Sequence, residues 1–197
     1  YGCKRPAFHD EFLPVFNKPN VTLVDTAPSG VQKINSKGIV QDGKEYPLDV
    51  LIYATGFQWL ATQTFEMIIG QNGQTLHQKW QKEGTKTFLG LHNHGFPNLL
   101  VMSGPQGGGG QFNRTRGIES HTDYVVWMLK TVRDKGNATI DIKKETEIAY
   151  AEHCKEADIR TMAFRDCISY YNGEGNAEPG SLAYYGGVTK WHEIRAA

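Results

Sequence analysis

The sequence predicts an α/β protein built on a parallel sheet, and three stretches carry that reading. The first is Leu48 to Phe57. It opens on the acidic Asp49, continues as the apolar run Val50-Leu51-Ile52-Tyr53, and closes on the small-residue turn Ala54-Thr55-Gly56. The run is too short to cross a membrane and fits a strand buried on both faces of a sheet. The second, Phe96 to Pro105, repeats that grammar: a turn, a short apolar strand through Leu99 to Met102, then Ser103-Gly104-Pro105. The third is the glycine-rich loop Gln106 to Gln111, which leads into the most periodic helix of the chain. In open α/β sheets, ligands bind beyond the carboxyl ends of the strands. Ala54-Thr55-Gly56 and Gly104-Pro105 fall at such ends, and small residues there allow close backbone approach. An ordinary core strand ending in a glycine turn accounts for the same pattern.

In chain order, Gly2 to Pro6 reads as a loop presenting Lys4 and Arg5, because Pro6 biases Arg5 away from helix. A solvated basic pair is the plainer reading. Glu11 to Phe16 suits a short helical turn. Val21 to Asp25, Val31 to Ile34 and Gly38 to Val40 read as strands, and Asp42-Gly43 signals a hairpin into a strand opening at Tyr46. The buried strand over 49–54 then closes this β-rich segment, as if completing a sheet begun upstream. Further on, Phe65 to Ile69 suits a short strand, Leu76 to Trp80 a helical turn, and Thr87 to Gly90 a strand edge. Ile118, His121, Tyr124, Val125, Met128, Leu129 and Val132 recur at helical spacing, and Gly136 ends that helix. A second helix is expected over about Lys143 to Met162, with Ile148, Ala151, Cys154 and Ile159 inward. The tail from Asp166 is rich in Tyr and Gly and reads as irregular.

Composition narrows the function classes. Among 197 residues, 21 Lys and Arg balance 21 Asp and Glu, so nothing favours nucleic acid or an anionic membrane. Three cysteines without paired spacing argue against a disulfide scaffold or zinc site and suit a reducing, cytoplasmic setting. The sequons at Asn20, Asn113 and Asn137 read as chance matches. Because the chain opens on Tyr1, it is expected to be processed or cut from a longer polypeptide. There is no GxSxG, HExxH or CxxC motif. His92 and His94, the closest histidine pair, read as loop residues. What remains is a permanently charged guanidinium, Arg5, suited to holding an oxyanion rather than moving protons. The Gly107–Gly110 run, followed by Asn113, Arg114 and Arg116, offers backbone N–H groups at a helix start. It matches neither GxGxxG nor the P-loop pattern.

Taken together, Gly2-Cys3-Lys4-Arg5-Pro6, Phe16 to Asp25, Asp49 to Phe57, Phe96-Pro97-Asn98-Leu99, Gly104-Pro105 and Tyr171-Asn172-Gly173 stand in the order and spacing of one family. The chain resembles the C-terminal part of a type I Baeyer–Villiger monooxygenase, a class B flavoprotein monooxygenase, along essentially its whole length. That resemblance implies the C-terminal portion of an incomplete, Rossmann-like fold with two dinucleotide-binding domains. Residues 1–60 would complete the NADP-binding domain, and 61–197 the FAD-binding domain with the substrate-pocket loops. It also implies FAD and NADPH as cofactors, O2 and a ketone as substrates, and a C4a-peroxyflavin that yields an ester or lactone. Arg5 resembles the arginine that stabilises the peroxyflavin and touches the nicotinamide, and Lys4 the residue that meets the NADP 2′-phosphate. Ala54-Thr55-Gly56 resembles the signature at the domain junction. Gly104, Pro105, Asn113 and Arg114 fall in the segment that meets the flavin ring and borders the ketone pocket. Tyr170 stands where relatives place an aromatic, frequently Trp, against cofactor and substrate.

The upstream glycine motifs of the family are not in these residues, so the missing N-terminal part of the same enzyme is an expected partner. The isolated chain is expected not to hold FAD. An N- or S-oxygenating flavin monooxygenase and a non-catalytic truncated paralogue are the alternatives. The glycine run also suggests a roomy pocket for a large or cyclic ketone.

Overall fold

Asp42 and Gly43 both adopt positive φ, 51° and 76°, the pairing a tight I′ hairpin turn requires. They join strands β2 (Gly38–Gln41) and β3 (Lys44–Pro47), with Gln41 opposite Lys44 and Ile39 opposite Tyr46. Strand β1 (Lys33–Ile34) pairs antiparallel with β2, giving a three-stranded meander in the order β1-β2-β3. Gln41 buries its side chain and takes the Gln32 N–H at 3.2 Å, which fixes the strand entry. A short helix α1 (Phe12–Val15) precedes the meander.

The computed structural model describes residues 9–56, 63–108, 113–136, 139–158 and 182–196. They divide into two units, one within Pro6–Gly56 and the other within Phe57–Ala197. In the first, among the described residues, no apolar side chain is buried, and both hydrophobic clusters belong to the second.

Two expectations for the first unit fail. Val21 to Asp25 forms no strand, and neither does 49–54. Val50, Ile52 and Tyr53 are 73%, 83% and 69% exposed. A strand exists through its neighbours, and among the described residues nothing pairs with this run.

The second unit is helical. Helix α2 (Gln63–Met67) stands where a strand was expected, and its Phe65 ring meets Trp80 edge-on at 4.8 Å. Helix α3 (Leu76–Glu83) starts in a capping box. Thr75 Oγ1 accepts the Gln78 N–H at 3.1 Å, and Gln78 Oε1 accepts the Thr75 N–H at 2.9 Å. Leu76, Trp80 and Phe96 form one cluster. Thr87 to Gly90 is a turn, closed by a single bridge between Phe88 and His92. Leu99 to Met102 forms no strand, though the Val101 N–H reaches the Leu91 carbonyl at 2.9 Å.

Helix α4 (Arg114–Asp134) matches its expected span, and Gly136 follows it with φ 67°. Its buried face runs through Ser120, His121, Tyr124 and Met128. Ile118 and Leu129, expected inward, are exposed. The helix is apolar on more than one side, with Val126 and Trp127 exposed as well. Helix α5 (Lys144–Glu156) buries Glu147, Tyr150 and Cys154, while Ile148 faces out. Ile159 and the Met162 end of the expected helix lie outside the described residues. Near the C-terminus, the expected irregular tail contains a helix, α6 (Val188–Ala196). Its Trp191 joins Leu89, Leu91, Tyr124, Tyr150, Cys154 and Tyr184 in the main core. No helix among the described residues is long and apolar enough to cross a membrane.

Candidate functional site

The turn from Ser103 to Gly107 follows Val101 and Met102 directly. Ser103 and Gln106 hold φ of 56° and 63°. An ordinary side chain in this region costs roughly 1 kcal/mol, so two in one turn need outside support. Glycine packing supplies part of it. A Cβ on Gly90 would collide with the backbone of Gly107, and one on Gly104 would stand 2.8 Å from the Gly90 carbonyl oxygen. Three glycines therefore let two backbone segments touch.

Side chains supply the rest. Gln106 is 1% exposed. Its Oε1 accepts the Thr87 N–H at 2.9 Å and the Thr87 hydroxyl at 3.0 Å, and its Nε2 donates to the Thr85 carbonyl at 3.4 Å. The Tyr150 hydroxyl donates to the Gln106 carbonyl at 2.9 Å, and the Gln106 N–H donates to Leu182. Burial raises the Tyr150 pKa well above the ordinary phenol value, which keeps it a donor.

His121 reaches the same turn from α4. Its Nδ1 accepts the Ser103 N–H at 3.3 Å, so Nε2 carries the proton and donates to the Gly107 carbonyl at 3.1 Å. Burial lowers the His121 pKa, against a smaller opposing effect of the Gly107 carbonyl. The ring lies 5.1 Å from Trp191, tilted by 33°. A second buried histidine, His92, bonds the Tyr124 hydroxyl at 2.9 Å, and burial pushes its pKa down to about 4.

Gly104 is half-buried in this turn and Pro105 is buried. Asn113 caps α4, its Oδ1 accepting the Thr115 N–H at 2.8 Å. Arg114 opens the helix and donates from Nη1 to Ser103 Oγ at 3.0 Å. The structure thus joins Gly104, Pro105 and Arg114 around one turn, with Asn113 adjoining. Ala54, Thr55 and Gly56 lie exposed at the end of the other unit. Gly56 has φ 92°, with nothing within 4 Å of a built Cβ. Lys4, Arg5 and Tyr170 lie outside the described residues. Gln106, His121, Thr87 and Tyr150 were not singled out from sequence as site-forming residues. The only signal available for Gln106 was a lone amide side chain ahead of four glycines. No cluster of three metal-binding side chains occurs among the described residues.

The first turn of α4 carries no acidic side chain and begins with Arg114. Its positive end suits an anion or an electronegative ring edge. Beside it, the close-packed glycines hold the Gly104–Gly107 backbone against the Gly90 segment. These features fit the electronegative edge of a large planar cofactor.

No protein-family model matches the chain. Over 204 residues it is 35% identical to a Baeyer–Villiger monooxygenase of Streptomyces coelicolor, a match that covers 98% of this chain and 33% of that protein. Among solved structures, a closed form of cyclohexanone monooxygenase superposes with a TM-score of 0.85 at 26% identity, covering 98% of this chain and 36% of the other. An oxidised steroid monooxygenase bound to NADP gives 0.82 at 27% identity, covering 99% and 37%. The chain spans about a third of the length of the curated relatives it matches.

Proposed function

This chain is a relative of the Baeyer–Villiger monooxygenases over nearly its whole length, and from that premise we propose that it forms the C-terminal part of an FAD- and NADPH-dependent ketone monooxygenase. The observation that carries the reading is the turn Ser103–Gly107 set against the start of α4 within a fold that superposes at 0.85 on cyclohexanone monooxygenase. FAD, reduced by NADPH, would supply the activation of O2 and hence the oxygen atom that converts a ketone to an ester or lactone. The chain's own residues bind and orient. Gly104 and Pro105 would border the flavin ring, and the N-terminal end of α4 with Asn113 and Arg114 would favour electron density on the ring's polar edge. On this reading Arg5 would hold developing negative charge, Lys4 would meet the NADP 2′-phosphate, and Tyr170 would take the place of the family's aromatic against cofactor and substrate. Ala54, Thr55 and Gly56 would mark the point in the sequence where the chain leaves the NADP domain for the FAD domain. The division of the chain at Gly56 supports that assignment.

The test uses the full enzyme that carries this chain. It should oxidise NADPH and convert a cyclic ketone to its lactone. Arg5→Ala should abolish lactone while NADPH still bleaches the flavin. Oxygenation of amines or sulfides with no ketone turnover would instead select the N- or S-oxygenating alternative.

A further inference from the structure

Gln106 is a costly choice at its position. Its φ of 63° is one that glycine adopts freely, and the next four residues, Gly107 to Gly110, are glycines. A side chain kept in such a conformation and fully buried has a task there. Its side chain bonds Thr85 and Thr87, on a segment about twenty residues upstream, while its backbone is tied to α5 through Tyr150 and to Leu182. His121 spans the same turn, holding the Ser103 N–H with one ring nitrogen and the Gly107 carbonyl with the other. The turn is thus pinned from four directions: the 85–87 segment, α4, α5 and the 182 segment. The pinned atoms are Gly104's immediate neighbours, and Gly104 can take no side chain because Gly90 and Val101 fill the space.

We propose that Gln106 and His121 are a pair of positioning residues that set where the Gly104–Gly107 backbone stands against the flavin ring, and so govern how efficiently reduced cofactor delivers oxygen to ketone. This rests on the ketone monooxygenase reading above. Neither residue is assigned contact with substrate or reacting atoms. Gln106→Gly makes the cleanest probe. It removes the side-chain anchor and relieves the backbone strain together, so the turn can still form but loses its Gln106 tie to the 85–87 segment. His121→Ala removes the second clamp from a different element, and His121→Gln restores one donor and one acceptor.

In the full, FAD-loaded enzyme, Gln106→Gly and His121→Ala should lower ester formed per NADPH at least threefold, with hydrogen peroxide making up the difference. The visible flavin band of the loaded fraction should shift. His121→Gln should recover part of both. Hydrogen exchange at the Ser103 and Gly107 amides should speed up at least tenfold in the two clamp variants. A purely structural role would reduce loading and melting temperature only. Loaded Gln106→Gly and His121→Ala enzymes with wild-type coupling and flavin spectrum would overturn the proposal. Wild-type full enzyme that binds no flavin would defeat the underlying reading instead. The clamp itself would then be judged on amide exchange, and unchanged protection in both variants would refute it.

Discussion

Lys79 and Glu147 stand 68 residues apart, yet Lys79 Nζ lies 2.7 Å and 2.8 Å from the two carboxylate oxygens, with both side chains buried. Lys79 also donates to the His94 carbonyl, and Glu147 accepts the His94 N–H. Each charge is therefore hydrogen-bonded beyond its partner, the condition under which a buried pair is tolerated. Removing one member leaves the other buried alone. Lys79→Met should cost about 3–5 kcal/mol in urea unfolding. The double variant Lys79→Met, Glu147→Leu should recover much of that loss. His92 supports a second residue-level prediction. Its folded pKa of about 4 lies below the unfolded value of 6.5. Between those values the unfolded chain binds more protons, so stability falls as pH drops from about 6.5 to about 4. The full effect is on the order of 3 kcal/mol. His121 is shifted in the same direction by burial and adds to it. Urea titrations at neutral and acid pH should show the loss, and His92→Phe should reduce it, leaving the His121 share. None of these roles was legible beforehand. His92 looked like a loop residue, and nothing in a linear pattern pairs Lys79 with Glu147.

At the scale of elements, local chemistry was the most readable. Asp42-Gly43 specified its hairpin because few residue pairs accept two positive φ angles, and α4 followed from its apolar spacing. The Thr75/Gln78 capping box could have extended the reading of α3 from a turn to a full helix. What failed depended on partners distant in sequence. The 49–54 run has strand composition without a strand beside it among the described residues, and Phe65 to Ile69 has strand composition although Phe65 serves a helix packed on Trp80. The candidate site divides the same way. Gly104, Asn113 and Arg114 came from motif and spacing, but the Gln106 and His121 network is built from long-range contacts. The N-cap of α4 is separately testable. Asn113→Ala removes the acceptor of the Thr115 N–H and should cost about 1 kcal/mol, read as a lower melting temperature.

At the scale of the whole molecule, the contrast between the two units is energetic. The second has two buried clusters; the first, among its described residues, has no buried apolar side chain and exposes Leu23, Val50, Ile52 and Tyr53. Hydrophobic burial is the main stabilising term in folding, so the first unit has little of its own. Limited proteolysis of the isolated chain should cut first within Leu48–Gly56, while fragments containing α4 and α5 persist. The isolated chain should also purify without stoichiometric flavin, since it spans about a third of its relatives' length. A yellow, NADPH-oxidising preparation would contradict that expectation.

Cys154 sits at the centre of the main core with no exposed surface, and burial pushes its thiol up to about 12. Only a thiolate attacks an alkylating reagent, so in the closed protein this sulfur is doubly silent, shielded and protonated. Alkylation at Cys154, followed by mass spectrometry, therefore runs as a clock for the opening of the helical core. It needs no added label, and Lys79→Met, which strands Glu147 on the same helix as Cys154, should make it run faster.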